Sequence, residues 1–191
     1  TIGQTISSDR DFELVWKPGL TDSPQIFAFN EEANGSNYTM LALLPPDLAY
    51  LQQKLQARDV IFVLDISGSM AGTSINQAKA SLLTALKDLS PLDRFNVIWF
   101  NNESGSLFAD SVPATDKYKN HAAILIQQLQ ANGGTEVLPA LKLALAKQQE
   151  FSRFRQVIFL TDGNINNEAE LFHVIHRQLG NSRLFTIGIG S

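Results

Sequence analysis

The sequence predicts a doubly wound α/β domain with a mostly parallel sheet, preceded by a smaller antiparallel β segment. Three observations carry that expectation. Apolar runs at 60–64, 95–100, 157–160 and 184–189 have strand length, and the first and third are apolar throughout, as strands buried on both faces are. Between these runs lie stretches with apolar residues at helical spacing. Before Arg58 the pattern changes to short runs separated by turn residues. Strands alternating with helices give a parallel sheet with right-handed crossovers and helices on both faces.

The bounds set by composition agree. A chain of 191 residues holds one α/β domain plus an appendage. A hydrophobic fraction of 44% and a charged fraction of 18% supply an ordinary globular core. The net charge is -4 and no run of Lys or Arg occurs, which argues against nucleic acid and anionic membrane as partners. With no cysteine, disulfides, thiolate metal sites and cysteine catalysis are excluded, while the compartment stays open. No apolar run approaches the roughly 20 residues that span a bilayer. Thr1-Ile2-Gly3-Gln4 is not a signal-peptide start, and the last residues follow directly on a strand pattern. The expectation is an excised piece of a longer protein.

Residues 1–57 are expected to form the appendage and its linker. Phe12, Leu14 and Trp16 alternate with Glu13 and Val15 in a strand-like run closed by Pro18-Gly19. A second run covers 25–30 and a third covers 38–44, stopped by Pro45-Pro46. Asn34-Gly35 between them is a strong hairpin signal. Residues 47–57 read as a linker.

Residues 58–191 are expected to form the α/β domain. After the strand at 60–64, Ile75, Ala78, Leu82, Leu86 and Leu89 make a helical stripe that starts near Ser74 and breaks at Ser90-Pro91. Residues 95–100 are the next strand. The stretch 101–106 reads as a polar turn leading to an edge strand at 107–109. Tyr118, Ala122, Leu125 and Leu129 stripe a second helix. Asn132-Gly133-Gly134-Thr135 is a loop, and Pro139 suits the first turn of the helix after it, with Leu138, Leu141 and Leu145 facing inward. The strand at 157–160 runs into Thr161-Asp162-Gly163. Asn167 and Glu170 mark a helix start, with Leu171, Val174, Ile175 and Leu179 as its buried stripe before the last strand.

The chemistry concentrates where strands end. Asp65, Ser67 and Ser69 are spaced by two, so in an extended turn their side chains point at one centre. One carboxylate and two hydroxyls suit a hard cation. Thr135 adds a hydroxyl and Asp162 a second carboxylate, direct or through water, so two carboxylates balance a 2+ ion. In open parallel sheets, ligands bind beyond the carboxyl ends of strands where the order reverses, and Asp65 and Asp162 both lie at such ends. The plainer reading is a strand-end turn with capping hydroxyls, Thr135 capping its helix and Asp162-Gly163 a simple turn.

Asp65-x-Ser67-x-Ser69, Thr135 and Asp162, in that order and setting, resemble the metal-ion-dependent adhesion site (MIDAS) of the von Willebrand factor type A family. The likeness covers about residues 58–191. It implies a Rossmann-like fold, a Mg²⁺ ion (Mn²⁺ or Ca²⁺ as substitutes) at those five residues, and a partner carboxylate completing the coordination. It also implies a further helix, strand and helix beyond Ser191, the last of which moves when some members switch affinity. More narrowly, residues 58–65 and the preceding strands resemble inter-alpha-trypsin inhibitor heavy-chain-like proteins, in which an amino-terminal domain precedes the type A domain. That layout implies an extracellular, cell-surface or periplasmic protein.

The expected function is therefore a protein-binding or adhesion module, monomeric, in which the ion captures a Glu or Asp carboxylate of a protein partner. Met70, Ala71, Gly72, Asn102, Glu136 and Asn164 are candidates for a specificity rim. A metal-dependent hydrolase or phosphoryl-transfer enzyme is the alternative. The haloacid-dehalogenase pattern wants an Asp where this chain has Ser67, no Lys or His sits beside the motif, and no Walker loop is present, so no enzyme is expected. An intracellular component of a chelatase or ATPase assembly is a further alternative. His173 and His176 at i, i+3 read as ordinary helix residues and His121 as a surface residue. Asn34, Asn37 and Asn102 head N-x-Ser/Thr triplets that matter only in a glycosylating host. Trp16, Trp99 and Phe100 read as core.

Overall fold

The computed structural model describes residues 23–46, 57–146, 153–163 and 168–190. The chain divides into two units, Thr1–Leu55 and Gln56–Ser191.

In the first unit, β1 (Gln25–Ala33) and β2 (Ser36–Leu44) form an antiparallel hairpin. Its two-residue turn has Asn34 at φ 53° and Gly35 at φ 74°. Positive φ at both central positions is what a tight hairpin matching strand twist requires. Such a turn lets the ladder run to its edge, so Glu31, Glu32 and Asn37, which lie between the two expected runs, also pair. The expected strand around Phe12, Leu14 and Trp16, and the linker at 47–56, lie outside the described residues.

The second unit is a six-stranded sheet of β3 (Arg58–Asp65), β4 (Arg94–Phe100), β5 (Ser104–Ser106), β6 (Val112–Pro113), β7 (Phe154–Thr161) and β8 (Arg183–Gly188). The order is β5-β4-β3-β7-β8, with β6 also pairing with β4. The pairs β3–β4, β3–β7 and β7–β8 are parallel, and β5 and β6 run antiparallel to β4. Among the described residues, the α-helices that accompany it are α1 (Thr73–Lys87), α2 (Asp116–Gln128), α3 (Val137–Leu145) and α4 (Glu168–Gln178). The continuous apolar run in β3 has a direct cause. Val60, Phe62 and Leu64 enter the core shared with α1 and α2, while Ile61 and Val63 enter the core shared with α3 and α4. The chain leaves β3 for β4 on one side and returns to β7 on the other, so the switch point lies between β3 and β7.

Two local expectations are corrected. The edge strand is Ser104–Ser106, not 107–109. Gly105 permits it, because a Cβ there would sit 2.5 Å from Trp99 Cζ2, so the backbone lies against the indole. Beyond it Leu107 N–H donates to Val97 O at 2.8 Å, but the Asn96 side chain then replaces a strand partner. Its Nδ2 donates to Phe108 O at 2.9 Å and its Oδ1 accepts the Phe108 N–H at 3.2 Å. In α2, Ile126 rather than Leu125 shares the buried face with Ala122.

The α1 and α2 helices cap each other. Lys79 Nζ donates to Gln127 O and Leu129 O at the end of α2, and Lys119 Nζ donates to Lys87 O and Leu89 O at the end of α1. Cations there offset the negative end of each helix dipole. Among the described residues, no helix is long and apolar enough to cross a membrane.

Candidate functional site

β3 ends at Asp65, whose side chain is 0% exposed. Two neutral donors hold its carboxylate. Ser67 N–H donates to Oδ1 at 2.8 Å, and the Thr161 hydroxyl donates to Oδ2 at 2.7 Å. Thr161 is the last residue of β7, beside β3 at the switch point, and its Oγ also accepts the Gly163 N–H at 3.2 Å. Among the described residues no Lys or Arg pairs with Asp65.

The chain then turns. Ser67, buried and extended at φ -63° and ψ 165°, precedes a single 3₁₀ turn, Gly68–Met70. Ser67 Oγ and Ser69 Oγ lie 3.0 Å apart. Adjacent oxygens around an octahedral Mg²⁺, at about 2.1 Å from the ion, are separated by roughly 3 Å. Gly72, at φ 83°, redirects the backbone into α1.

The loop before α3 docks on this turn through its backbone. Gly68 N–H donates to Gly133 O at 2.9 Å, and Asn132 N–H donates to Ile66 O at 2.8 Å. A Cβ on Gly68 would come within 3.1 Å of Gly133 O, so glycine is what lets the two loops close up. Thr135 lies on that loop, half-buried, and Asp162, also half-buried, follows Thr161 directly. The structure thus gathers Asp65, Ser67 and Ser69 in one turn, puts Thr135 on the loop bonded to it, and puts Asp162 at the neighbouring strand end. Two carboxylates and three hydroxyls fit a hard cation and no soft one. Among the described residues, no three His, Asp or Glu side chains gather where they could hold a metal, and the candidate site itself offers two carboxylates.

Of the rim candidates, Ala71, Gly72, Asn102 and Glu136 are exposed. Met70 is not a rim residue: at 0% exposure it belongs to the core under α1, because the 3₁₀ turn swings its side chain back beneath the loop. Asn164 lies outside the described residues. His173 and His176 are both exposed on α4, and His121 is exposed with its ring 5.9 Å from that of Phe108. Phe100 is buried in the core shared with α3 and α4, Trp99 is half-buried against the core shared with α1 and α2, and Trp16 lies outside the described residues. Sequence reasoning missed Thr161. Its only signal is position, as the last hydroxyl-bearing residue of the strand beside Asp65.

At the opposite end of the sheet the acidic groups are paired. Arg155 Nε and Nη2 donate to Asp59 Oδ2 at 2.9 and 2.7 Å, and Arg155 Nη1 donates to Ala146 O at 2.6 Å. Asp59 Oδ1 is buried without a partner. Arg58 grips Asp93 through Nη2 at 2.7 Å and through its backbone N–H at 2.9 Å, and Ser90 N–H adds another bond at 2.9 Å. Burial pushes the Asp93 pKa up, but the Arg58 and Ser90 hydrogen bonds outweigh it and the net shift is downward. The Arg58 pKa is raised, chiefly by the side-chain hydrogen bond to Asp93.

The model of the von Willebrand factor type A domain matches residues 58–191. A von Willebrand factor A domain-containing protein of Dictyostelium discoideum is 32% identical over 175 residues, covering 91% of this chain and 19% of that protein. Inter alpha-trypsin inhibitor, heavy chain 4, of Mus musculus is 39% identical over 116 residues, covering 56% of this chain and 12% of that protein. The chain thus spans less than a fifth of the length of these relatives. Among solved structures, von Willebrand factor type A from Catenulispora acidiphila shares the fold with a TM-score of 0.67 at 20% identity, over 91% of this chain and 42% of that one.

Proposed function

Because the chain belongs to the von Willebrand factor type A family, commonly a protein-interaction module, we propose that it holds a divalent cation and uses it to capture a carboxylate of a partner protein. Asp65, Ser67, Ser69, Thr135 and Asp162 would hold the ion, with Mg²⁺ favoured and Mn²⁺ or Ca²⁺ as substitutes. The observation that carries this reading is Asp65, a fully buried carboxylate held, among the described residues, by neutral donors alone, beside a pair of hydroxyl oxygens 3.0 Å apart. Bound Mg²⁺ supplies an electrophilic position for a Glu or Asp oxygen. The protein's part is to fix the donors. The Thr161 hydroxyl and Ser67 N–H orient the Asp65 carboxylate, and neutral hydroxyls in place of further carboxylates leave charge on the ion for the partner. We also propose that the site binds without turnover, since among the described residues no Lys or His side chain is hydrogen-bonded to Asp65 to move a proton.

Calorimetric titration with Mg²⁺ and a pull-down at millimolar Mg²⁺ test this. The expected outcome is one Mg²⁺ site in the wild type, absent in Asp65→Ala, and partner proteins released by EDTA. Capture that survives both EDTA and Asp65→Ala would overturn it. Phosphoester turnover by the pure protein, lost in Asp65→Asn, would favour the enzyme alternative.

A further inference from the structure

We propose that Asn102, backed by Asn101, is a positioning residue for the Thr135 hydroxyl and thereby sets the strength and selectivity of cation binding; this rests on the cation reading above. Both residues follow β4 and contribute none of the five donors. Gly134 N–H donates to Asn102 Oδ1 at 2.6 Å, and Glu136 N–H donates to Asn101 O at 2.7 Å. Thr135 therefore lies between two backbone N–H groups held by consecutive residues of another loop. Asn101 Nδ2 donates to Asn132 Oδ1 at 2.8 Å, tying down the start of the same segment. Asn101 Oδ1 accepts the Glu103 N–H at 3.1 Å, which stiffens the clamp itself.

The two glycines of the Thr135 loop make room for this clamp. A Cβ on Gly134 would lie 2.6 Å from Asn102 Oδ1, and one on Gly133 would lie 3.0 Å from Asn102 Nδ2. Gly134 has no positive φ, so the space, not the backbone angle, is what it supplies. Asn102 is exposed, so its role is not core packing. One exposed hydrogen bond adds little to stability. Its effect on a cation site is larger, because outer hydrogen bonds that orient ligands commonly change affinity by about 10- to 100-fold. Mg²⁺ demands near-ideal octahedral geometry while Ca²⁺ accepts irregular shells, so a loosened Thr135 penalises Mg²⁺ more.

Calorimetric titration with Mg²⁺ and with Ca²⁺, and melting in EDTA, are compared for the wild type, Asn102→Ala, Asn102→Asp, Gly134→Ala and the Asn102→Ala/Gly134→Ala pair. Asn102→Ala is expected to weaken Mg²⁺ by about 10- to 100-fold and Ca²⁺ by less, with metal-free melting nearly unchanged. Asn102→Asp keeps the acceptor oxygen and holds Mg²⁺ at wild-type strength or better. Gly134→Ala evicts the amide and mimics Asn102→Ala, and it adds little in that background. A wild type that binds Mg²⁺ with Asn102→Ala unchanged, or with both ions weakened equally and additively, overturns the inference while the proposed function stands. A wild type with no Mg²⁺ site overturns both.

Discussion

β3 carries a buried aspartate at each end, and the fold treats them differently. Asp59, at the start, receives two hydrogen bonds from the Arg155 guanidinium. Asp65, at the finish, receives one from a backbone N–H and one from a hydroxyl. A buried carboxylate needs countercharge or dense hydrogen bonding to remain ionised. At the amino end the chain supplies the cation itself, and Arg58 with Asp93 repeats the device nearby. At the carboxyl end it supplies neutral donors. On the proposed reading, the countercharge there is the metal, so one end of the sheet is closed and the other is left responsive to solution conditions.

The largest expected effect attacks the closed end. Arg155→Met leaves Asp59 charged and buried, with Oδ1 already lacking a partner, and should cost about 3–5 kcal/mol in urea unfolding while Mg²⁺ affinity stays within a few-fold. A loss below about 1 kcal/mol would mean that the pair does not hold that end. Next comes the responsive end. The wild type should gain about 2.7 kcal/mol when Mg²⁺ reaches 100 times its Kd, and Asp65→Asn should gain nothing. An equal gain in the variant would remove the contrast between the two aspartates. The smallest effect is acid sensitivity. The folded pKa of Asp93 lies below its unfolded value of about 3.9, so its contribution is complete above that value and fades as pH falls toward the folded pKa. Arg58 is raised and stays charged throughout this window. Asp93→Asn should flatten the fall in the urea midpoint below about pH 4, modestly because Arg58 is partly exposed. An unchanged slope would shift the acid response to other carboxylates.

The same contrast marks what could be read from sequence. The all-apolar β3 was legible because burial on both faces leaves no alternation to interpret. Hydroxyl and carboxylate positions were legible because they recur just past strand ends, where a parallel sheet collects them. The part Thr161 plays was not, since a Thr at a strand end is unremarkable until strand order is known, and Asn102 could be read only as a rim residue because its bond to Gly134 depends on loop contacts. Met70 misled for a similar reason: a loop position signals exposure, whereas one 3₁₀ turn suffices to send the side chain inward. The edge strand slid because Asn96 offers its amide as a substitute ladder rung, something apolar periodicity cannot reveal.

The close approach of Gly105 to the Trp99 ring has an optical consequence. The chain holds two tryptophans, one in each unit. In Trp16→Phe, the remaining indole is stacked under the backbone three residues past Asn102. Its emission colour and quenching then report motions of the segment that carries Asn101 and Asn102, and an intrinsic fluorophore already stands against Gly105 without any label being attached.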